Sequence, residues 1–201
     1  MAKIGLDIDG VAYRFVDKLR LCINKDKGIP LSSMLPATRW EFYEDWGFSL
    51  DEYKELIHKY TQEDDLFWRG DMYEGCADAV WKILKAGHEV IFVTSRYIKA
   101  APKLAQHATY HWLNNEACLP YTELIMSDNK FEHGLDVLFD DAPYQYEQNV
   151  QAGLNQVVFD QLWNQHLTAA PRAYGWSGVL NYVENHYPIR NRTVMENKLT
   201  D

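Results

Sequence analysis

No apolar run in the 201 residues approaches the roughly 18 needed to cross a bilayer as a helix. The N-terminus enters a strand-like pattern directly, so the sequence predicts neither a membrane span nor a signal peptide. Cysteine is scarce. Cys22, Cys76 and Cys118 are odd in number, widely spaced and without a CxxC pair. That excludes a disulfide scaffold and points to reduced thiols in a cytoplasmic protein. Positive charge is short as well: 20 Lys and Arg against 29 Asp and Glu leave a net charge of −9. Polymer binding relies on clustered cations, so nucleic acid is disfavoured as the main partner. A small phosphorylated ligand stays open, because a divalent metal can supply the missing charge. The seven histidines form no ligand pattern, and there is no repeat or low-complexity tract.

Aromatic residues, by contrast, are plentiful. They make up 14% of the chain, with seven Trp and thirteen Tyr, within a globular balance of 47% hydrophobic and 24% charged residues. This exceeds what a core of this size needs and predicts that some aromatics line a pocket. Five short apolar runs read as buried strands: Lys3 to Asp9, Glu89 to Thr94, Glu123 to Met126, Asp136 to Asp140 and Gln156 to Asp160. Helical spacing lies between them. Ala77, Val80, Trp81 and Leu84 fall on one face with Gly87 as a stop; residues 99 to 116 and 143 to 152 carry similar patterns. Alternating strands and helices predict an α/β fold with a parallel sheet covered on both faces.

The first crossover is too long. Residues 77 to 86 already supply its helix, so the stretch from about Tyr13 to Met72 is surplus, with helical patterns of its own at Phe15, Leu19, Cys22, Ile23 and at Leu50, Tyr53, Leu56, Ile57, Tyr60. The expected organisation is a core from 1–12 and 73–187, a helical cap inserted over 13–72, and a loosely held C-terminal tail over 188–201. The loop-like stretch Pro36 to Tyr43 lies between the cap helices. Its Trp40 and Phe42, flanked by polar residues, are expected to line the pocket, while Trp46, Phe48 and Tyr60 are equally suited to the cap's own small core.

In open α/β sheets, ligands bind outside the carboxyl ends of the strands. There the sequence places Asp7 and Asp9 with Gly10 after the first strand, Thr94-Ser95-Arg96 after the second, Lys130 after the third, and Asp140-Asp141 at the fourth. A single strand-end Asp is commonly a helix cap and a lone Lys a surface residue. Capping, however, does not call for adjacent acids beside an Asp-x-Asp. Carboxylate pairs at one edge repel unless a hard cation sits between them, which suits Mg²⁺. Thr94 or Ser95 could hydrogen-bond a phosphoryl oxygen, and Lys130 could offset charge in a transition state. Asp7 could attack phosphorus, and Asp9 could protonate the leaving oxygen and then activate water.

The order Asp7-x-Asp9-Gly10-Val11, Thr94-Ser95, Lys130, Asp140-Asp141 resembles the four motifs of haloacid dehalogenase (HAD) superfamily phosphatases. Within that superfamily the chain is most similar to the 5′(3′)-deoxyribonucleotidases. Phe15, Thr38-Arg39-Trp40-Glu41-Phe42, the passage from Phe67 to Gly75 and Leu162-Trp163-Asn164 extend the likeness over residues 3 to 165. The resemblance implies a three-layer core with a five-stranded parallel sheet and a small helical cap. It further implies Asp7 as nucleophile and metal ligand, Asp9 as acid/base giving its backbone carbonyl to Mg²⁺, Asp141 as a third ligand and Asp140 supporting it. Thr94, Ser95 and Lys130 would bind phosphate; Phe15, Trp40, Phe42 and Arg96 would contact the nucleotide. Arg96 stands where the family often has Pro. A homodimer is the oligomer the family commonly forms.

Three functions compete at this point. One is a Mg²⁺-dependent phosphomonoesterase for nucleoside monophosphates; another is the same chemistry on a different small phosphate or a nucleic-acid 3′-phosphate end. The third, a phospho-acceptor receiver module, fits poorly, because there the adjacent acids come after the first strand and no insertion is needed. Asp9 argues against carbon–halogen cleavage, which needs no acid at that position.

Overall fold

The protein, described by a computed structural model, is defined over residues 1–63, 65–96 and 102–188. Its strands are β1 (Lys3–Leu6), β2 (Glu89–Thr94), β3 (Glu123–Met126), β4 (Val137–Asp140), β5 (Gln156–Phe159) and β6 (Arg172–Ala173). The helices are α1 (Phe15–Lys27), α2 (Phe42–Asp45), α3 (Leu50–Gln62), α4 (Cys76–Lys85), α5 (Pro102–His111), α6 (Pro143–Gln151) and α7 (Gly175–His186). The strands form one sheet in the order β3-β2-β1-β4-β5-β6, and every neighbouring pair is parallel. The sheet has six strands rather than five: β6 is only two residues long and adds to the edge at β5.

Side-chain alternation along the strands assigns the two faces. Ile4, Leu6, Val90, Phe92, Val137, Phe139, Val157 and Phe159 point to one side, where Val80, Ile83, Trp176, Val179 and Val183 of α4 and α7 cover them. Ile91, Val93 and Leu138 point to the other, against Leu135 and Leu154. Gly5 faces this second side, and a Cβ there would press on Leu135 and Leu138. Each such buried side chain contributes about 1.5–3 kcal/mol of transfer free energy, so the sheet is a rigid platform.

A second apolar cluster stands apart from the sheet. Leu19, Cys22 and Ile23 of α1, Leu56 and Tyr60 of α3, and Phe42, Tyr43 and Trp46 of α2 and its end pack together with Leu66 and Phe67. Ala105 and Ala108 of α5 and Trp163 complete it. Trp46 and Tyr60 are buried there, with Phe48 packed against its edge. The α3 helix starts on a capping box: Ser49 Oγ accepts from the Glu52 amide at 3.3 Å, and Glu52 Oε2 accepts from the Ser49 amide at 2.8 Å. The helix α1 ends at Gly28, whose φ of +67° closes it with a left-handed turn.

Several local expectations shift. The chain leaves the ladder after Leu6, three residues before Asp9, and α2 starts at Phe42, within the last two residues of the stretch read as a loop. The helix expected from 99 is described from Pro102, residues 99 to 101 lying outside the described part, and it ends in a wide π-type turn over Trp112–Glu116. Of the C-terminal tail, everything after residue 188 lies outside the described residues. Cys22, Cys76 and Cys118 are free thiols, the first two buried. Among the described residues no helix is long and apolar enough to cross a membrane.

Candidate active site

Register brings the acids together. Leu6 of β1 pairs with Phe139 of β4, so the next residues, Asp7 and Asp140, emerge side by side, and the Asp7 amide still donates to the Phe139 carbonyl at 2.9 Å. Strand order reverses about β1 here, the place where an α/β sheet opens a crevice. Lys130 lies on a short 3₁₀ turn after β3 (Lys130–His133) and is 2% exposed. Its Nζ donates to Asp7 Oδ1 at 2.6 Å and to Asp140 Oδ2 at 2.7 Å. Asp140 Oδ1 accepts from the Ala142 amide at 2.9 Å. Asp141 Oδ2 accepts from Trp163 Nε1, also at 2.9 Å. Gly10 turns the chain past Asp141 with a φ of +79°, and a Cβ there would collide with the Asp141 carboxylate.

Ligand atoms of Asp7, Asp140 and Asp141 lie within 4.8 Å of one another, and all three residues are buried. One ammonium cannot balance three carboxylates in a dry site. Burial raises the Asp7 carboxyl well above its ordinary range, Lys130 pulling it down and Asp140 pushing it up. Burial raises Asp141 too, with Asp7 and Asp140 adding to it. Lys130 is raised as well: burial alone would favour the neutral amine, but Asp140 and Asp7 outweigh it and hold the charge. The residual negative charge and the all-oxygen donor set fit a hard divalent cation.

Above this floor opens a cavity of about 1000 Å³, at the upper end of the usual ligand-pocket range. Thr94 and Ser95 at the end of β2 reach it, and its walls carry Phe15, Trp40, Phe42, Tyr43 and Tyr53. Trp40 is 36% exposed and stands edge-on to Tyr144 at 5.3 Å. Phe42 is 6% exposed; it packs against Trp46 at 4.8 Å and Tyr53 at 6.0 Å, giving the cavity only part of its ring. Phe15 stacks on Phe67 at 6.0 Å.

Residues 1–191 match the family model described as "5' nucleotidase, deoxy (Pyrimidine), cytosolic type C protein". The chain belongs to that family. Membership makes this nucleotidase-family chain a phosphoric monoester hydrolase. It is 24% identical, over 183 residues, to a Chlorobaculum tepidum protein named "Putative 5'(3')-deoxyribonucleotidase", covering 90% of this chain and 89% of the relative. Solved structures share the fold. One, named "Putative haloacid dehalogenase-like hydrolase", from Bacteroides fragilis, has a TM-score of 0.57 at 12% identity, over 85% of this chain and 95% of the other. CbbY from Rhodobacter sphaeroides in complex with phosphate has a TM-score of 0.53 at 12% identity, over 89% and 96%.

In this nucleotidase-family chain, the sequence-derived residues separate into groups. Asp7, Lys130, Asp140 and Asp141 form the floor; Thr94, Ser95, Phe15, Trp40 and Phe42 border the cavity. The Asp9 carboxylate lies outside the buried acid cluster and is gripped by Arg96. Arg96 borders the cavity too, with its side chain 0% exposed and its guanidinium donating to Asp9 and Thr109. The structure also adds supports that motif reading does not assign. Trp163 holds Asp141, Asn164 Nδ2 donates to the Asp141 carbonyl at 2.9 Å, and Gln161 Nε2 donates to the Gly10 carbonyl at 2.6 Å. Trp163 and Asn164 lie in the Leu162-Trp163-Asn164 stretch of the resemblance, which gives them no role, and the only signal for Gln161 is position, just after β5. Gln145 Nε2 donates to Ser95 Oγ at 3.4 Å from the start of α6, and it carries no signal beyond its closeness to Asp141.

Proposed function

We propose that the chain is a Mg²⁺-dependent phosphatase of the cytoplasm that removes phosphate from deoxynucleoside monophosphates through an aspartyl phosphate on Asp7. The observation that carries this reading is the buried Asp7, Asp140, Asp141 cluster with Lys130 at the floor of an aromatic-walled cavity. Residues 13–72 act as its cap and contribute Trp40, Phe42, Tyr43 and Tyr53 to the wall that receives the nucleoside.

Asp7 and Asp141, with the backbone carbonyl of Asp9, would hold the metal, and Asp140 supports them through Lys130 and the Ala142 amide. When bound, Mg²⁺ supplies positive charge against the phosphate oxygens. Thr94 and Ser95 donate to phosphoryl oxygens, and Lys130 offsets the charge that develops as Asp7 attacks. An Asp7 Oδ forms a bond to phosphorus as the phosphorus–ester oxygen bond breaks, and the leaving oxygen takes a proton from the Asp9 carboxyl. The Asp9 carboxylate then takes a proton from water as its oxygen attacks phosphorus. The bond from phosphorus to Asp7 breaks, releasing phosphate and restoring both acids.

A phosphate-release screen tests this reading, comparing 5′- and 3′-ribo- and deoxyribonucleoside monophosphates with sugar phosphates, with and without Mg²⁺. Deoxynucleoside monophosphates turned over fastest, and only with metal, is the expected result. A clear preference for sugar phosphates would contradict the substrate, and undiminished turnover in excess chelator would contradict the metal.

A further inference from the structure

Arg96 and Asp9 are 87 residues apart in sequence and meet in a two-pronged ion pair. Arg96 Nε donates to Asp9 Oδ2 at 2.8 Å, and Nη2 donates to Asp9 Oδ1 at 2.6 Å. Such fork-on-carboxylate geometry fixes orientation as well as distance. The guanidinium is itself tightly fixed. Nη1 donates to Thr109 Oγ1 on α5 at 3.3 Å, and that hydroxyl donates in turn to the Ala105 carbonyl at 2.8 Å. The rings of Tyr13 and Phe67 lie 4.6 Å from the guanidinium carbon, and the Trp112 ring lies at 5.9 Å. Tyr13 is anchored to the Leu66 carbonyl, and Trp112 Nε1 donates to the Gly70 carbonyl at 2.9 Å. Arg96 thus sits where the aromatic cluster, α5 and the sheet edge meet.

The pair is asymmetric. Both residues border the cavity, but the Arg96 side chain is 0% exposed while that of Asp9 is 26% exposed. Guanidinium motion would unpack three rings and a helix contact; Asp9 motion needs only its two side-chain torsions. The fixed partner therefore dictates where the mobile one points. A buried ion pair is seldom kept for stability alone, because apolar replacements commonly do as well. This pair fixes a carboxylate that opens onto the cavity, two residues from Asp7.

We propose that Arg96 is a positioning residue for the leaving-group step. It holds the Asp9 carboxyl in the orientation from which the proton reaches the leaving oxygen, and it has no part in the attack of Asp7 on phosphorus. The inference rests on the acid/base role proposed for Asp9.

The test compares kcat/KM for benzyl phosphate and p-nitrophenyl phosphate. They are similar in size, but only benzyl alkoxide must be protonated as it leaves. Arg96→Ala should lower kcat/KM for benzyl phosphate about ten- to a hundredfold more than for p-nitrophenyl phosphate. Arg96→Lys, which keeps the charge but not the fork, should give a smaller shift in the same direction. Both substrates are measured on one preparation, so the ratio does not depend on how much of a variant is folded. Asp9→Asn should shift the ratio at least as far, and adding Arg96→Ala to it should shift the ratio no further. An unchanged ratio in Arg96→Ala beside a shifted one in Asp9→Asn would overturn the positioning role and leave the acid/base reading standing, as would additive shifts in the double variant. An unchanged ratio in Asp9→Asn would overturn the acid/base reading, and the inference with it.

Discussion

The floor and the wall of the cavity are built on opposite principles. The floor concentrates charge: Asp7, Asp140, Asp141 and Lys130 are all buried, and strand register fixes their positions. The wall is largely aromatic, with Glu41, Lys54 and Glu55 among its lining residues, and most of its rings come from the separate cluster around α1, α2 and α3. A phosphoryl group is the same in every monoester, so the floor recognises what all substrates share. Whatever distinguishes one monoester from another reaches the wall. Changes at the floor should therefore affect every substrate alike, and changes at the wall should sort substrates.

The largest effect is expected at Asp7. Asp7→Asn removes the nucleophile and should lower kcat about a thousandfold or more on every monoester tested, with a melting temperature near the parent's. Phosphate-release assays beside thermal melts check this, and residual turnover within tenfold of the parent would show that the floor works without a covalent step.

Metal removal should match that loss. Its second readout is stability, because Mg²⁺ at about a hundred times its dissociation constant should raise the unfolding free energy by about 2.7 kcal/mol. Asp141→Asn should lose that increment. If Asp141→Asn keeps the parent's Mg²⁺-dependent shift in melting temperature, the ion is held elsewhere.

Lys130→Ala leaves carboxylates unpaired in a dry site and should destabilise the fold by about 3–5 kcal/mol. On the folded fraction, kcat/KM for a deoxynucleoside monophosphate and for p-nitrophenyl phosphate should fall by the same factor. A loss confined to the nucleotide would place Lys130 in substrate discrimination rather than at the phosphoryl group.

The smallest effect belongs to the wall. Base–aromatic stacking contributes about 1–3 kcal/mol per base. Trp40→Ala should therefore lower kcat/KM for the nucleotide about five- to a hundredfold, and for p-nitrophenyl phosphate by less. Equal losses on both, with circular dichroism showing a folded chain, would make Trp40 a strut for the wall through its contact with Tyr144 rather than a reader of the base.

The floor was more legible in the sequence than the wall. Strand ends are easy to locate, because runs such as Glu89 to Thr94 are apolar, β-branched and bounded, and the residues just past each run emerge at one edge of a parallel sheet. The two-residue strand β6 has no periodicity to detect. The helix α7 carries Trp176, Val179 and Val183 at helical spacing, but Gly175 and Gly178 at its start obscure it. The wall depends on how a separate cluster folds over the sheet. Phe42 reads as a pocket residue from its polar surroundings and does border the cavity, but its burial against Trp46 and Tyr53 is not legible there. Pairings across long separations were the least visible. Nothing local to Thr94-Ser95-Arg96 indicates that Arg96 turns to Asp9, or that Trp163 reaches back to Asp141.

The central claim is that Asp7 carries the phosphoryl group during turnover. Quenching the enzyme with borohydride while it turns over a deoxynucleoside monophosphate in Mg²⁺ tests it most directly, because hydride reduces an acyl phosphate to an alcohol. Mass spectrometry of the peptide spanning Lys3 to Arg14 should then find homoserine at position 7, only when substrate and metal are both present, and Asp9 unmodified. Reduction at another carboxylate, or an intact Asp7 in enzyme quenched during full-rate phosphate release, would contradict the account.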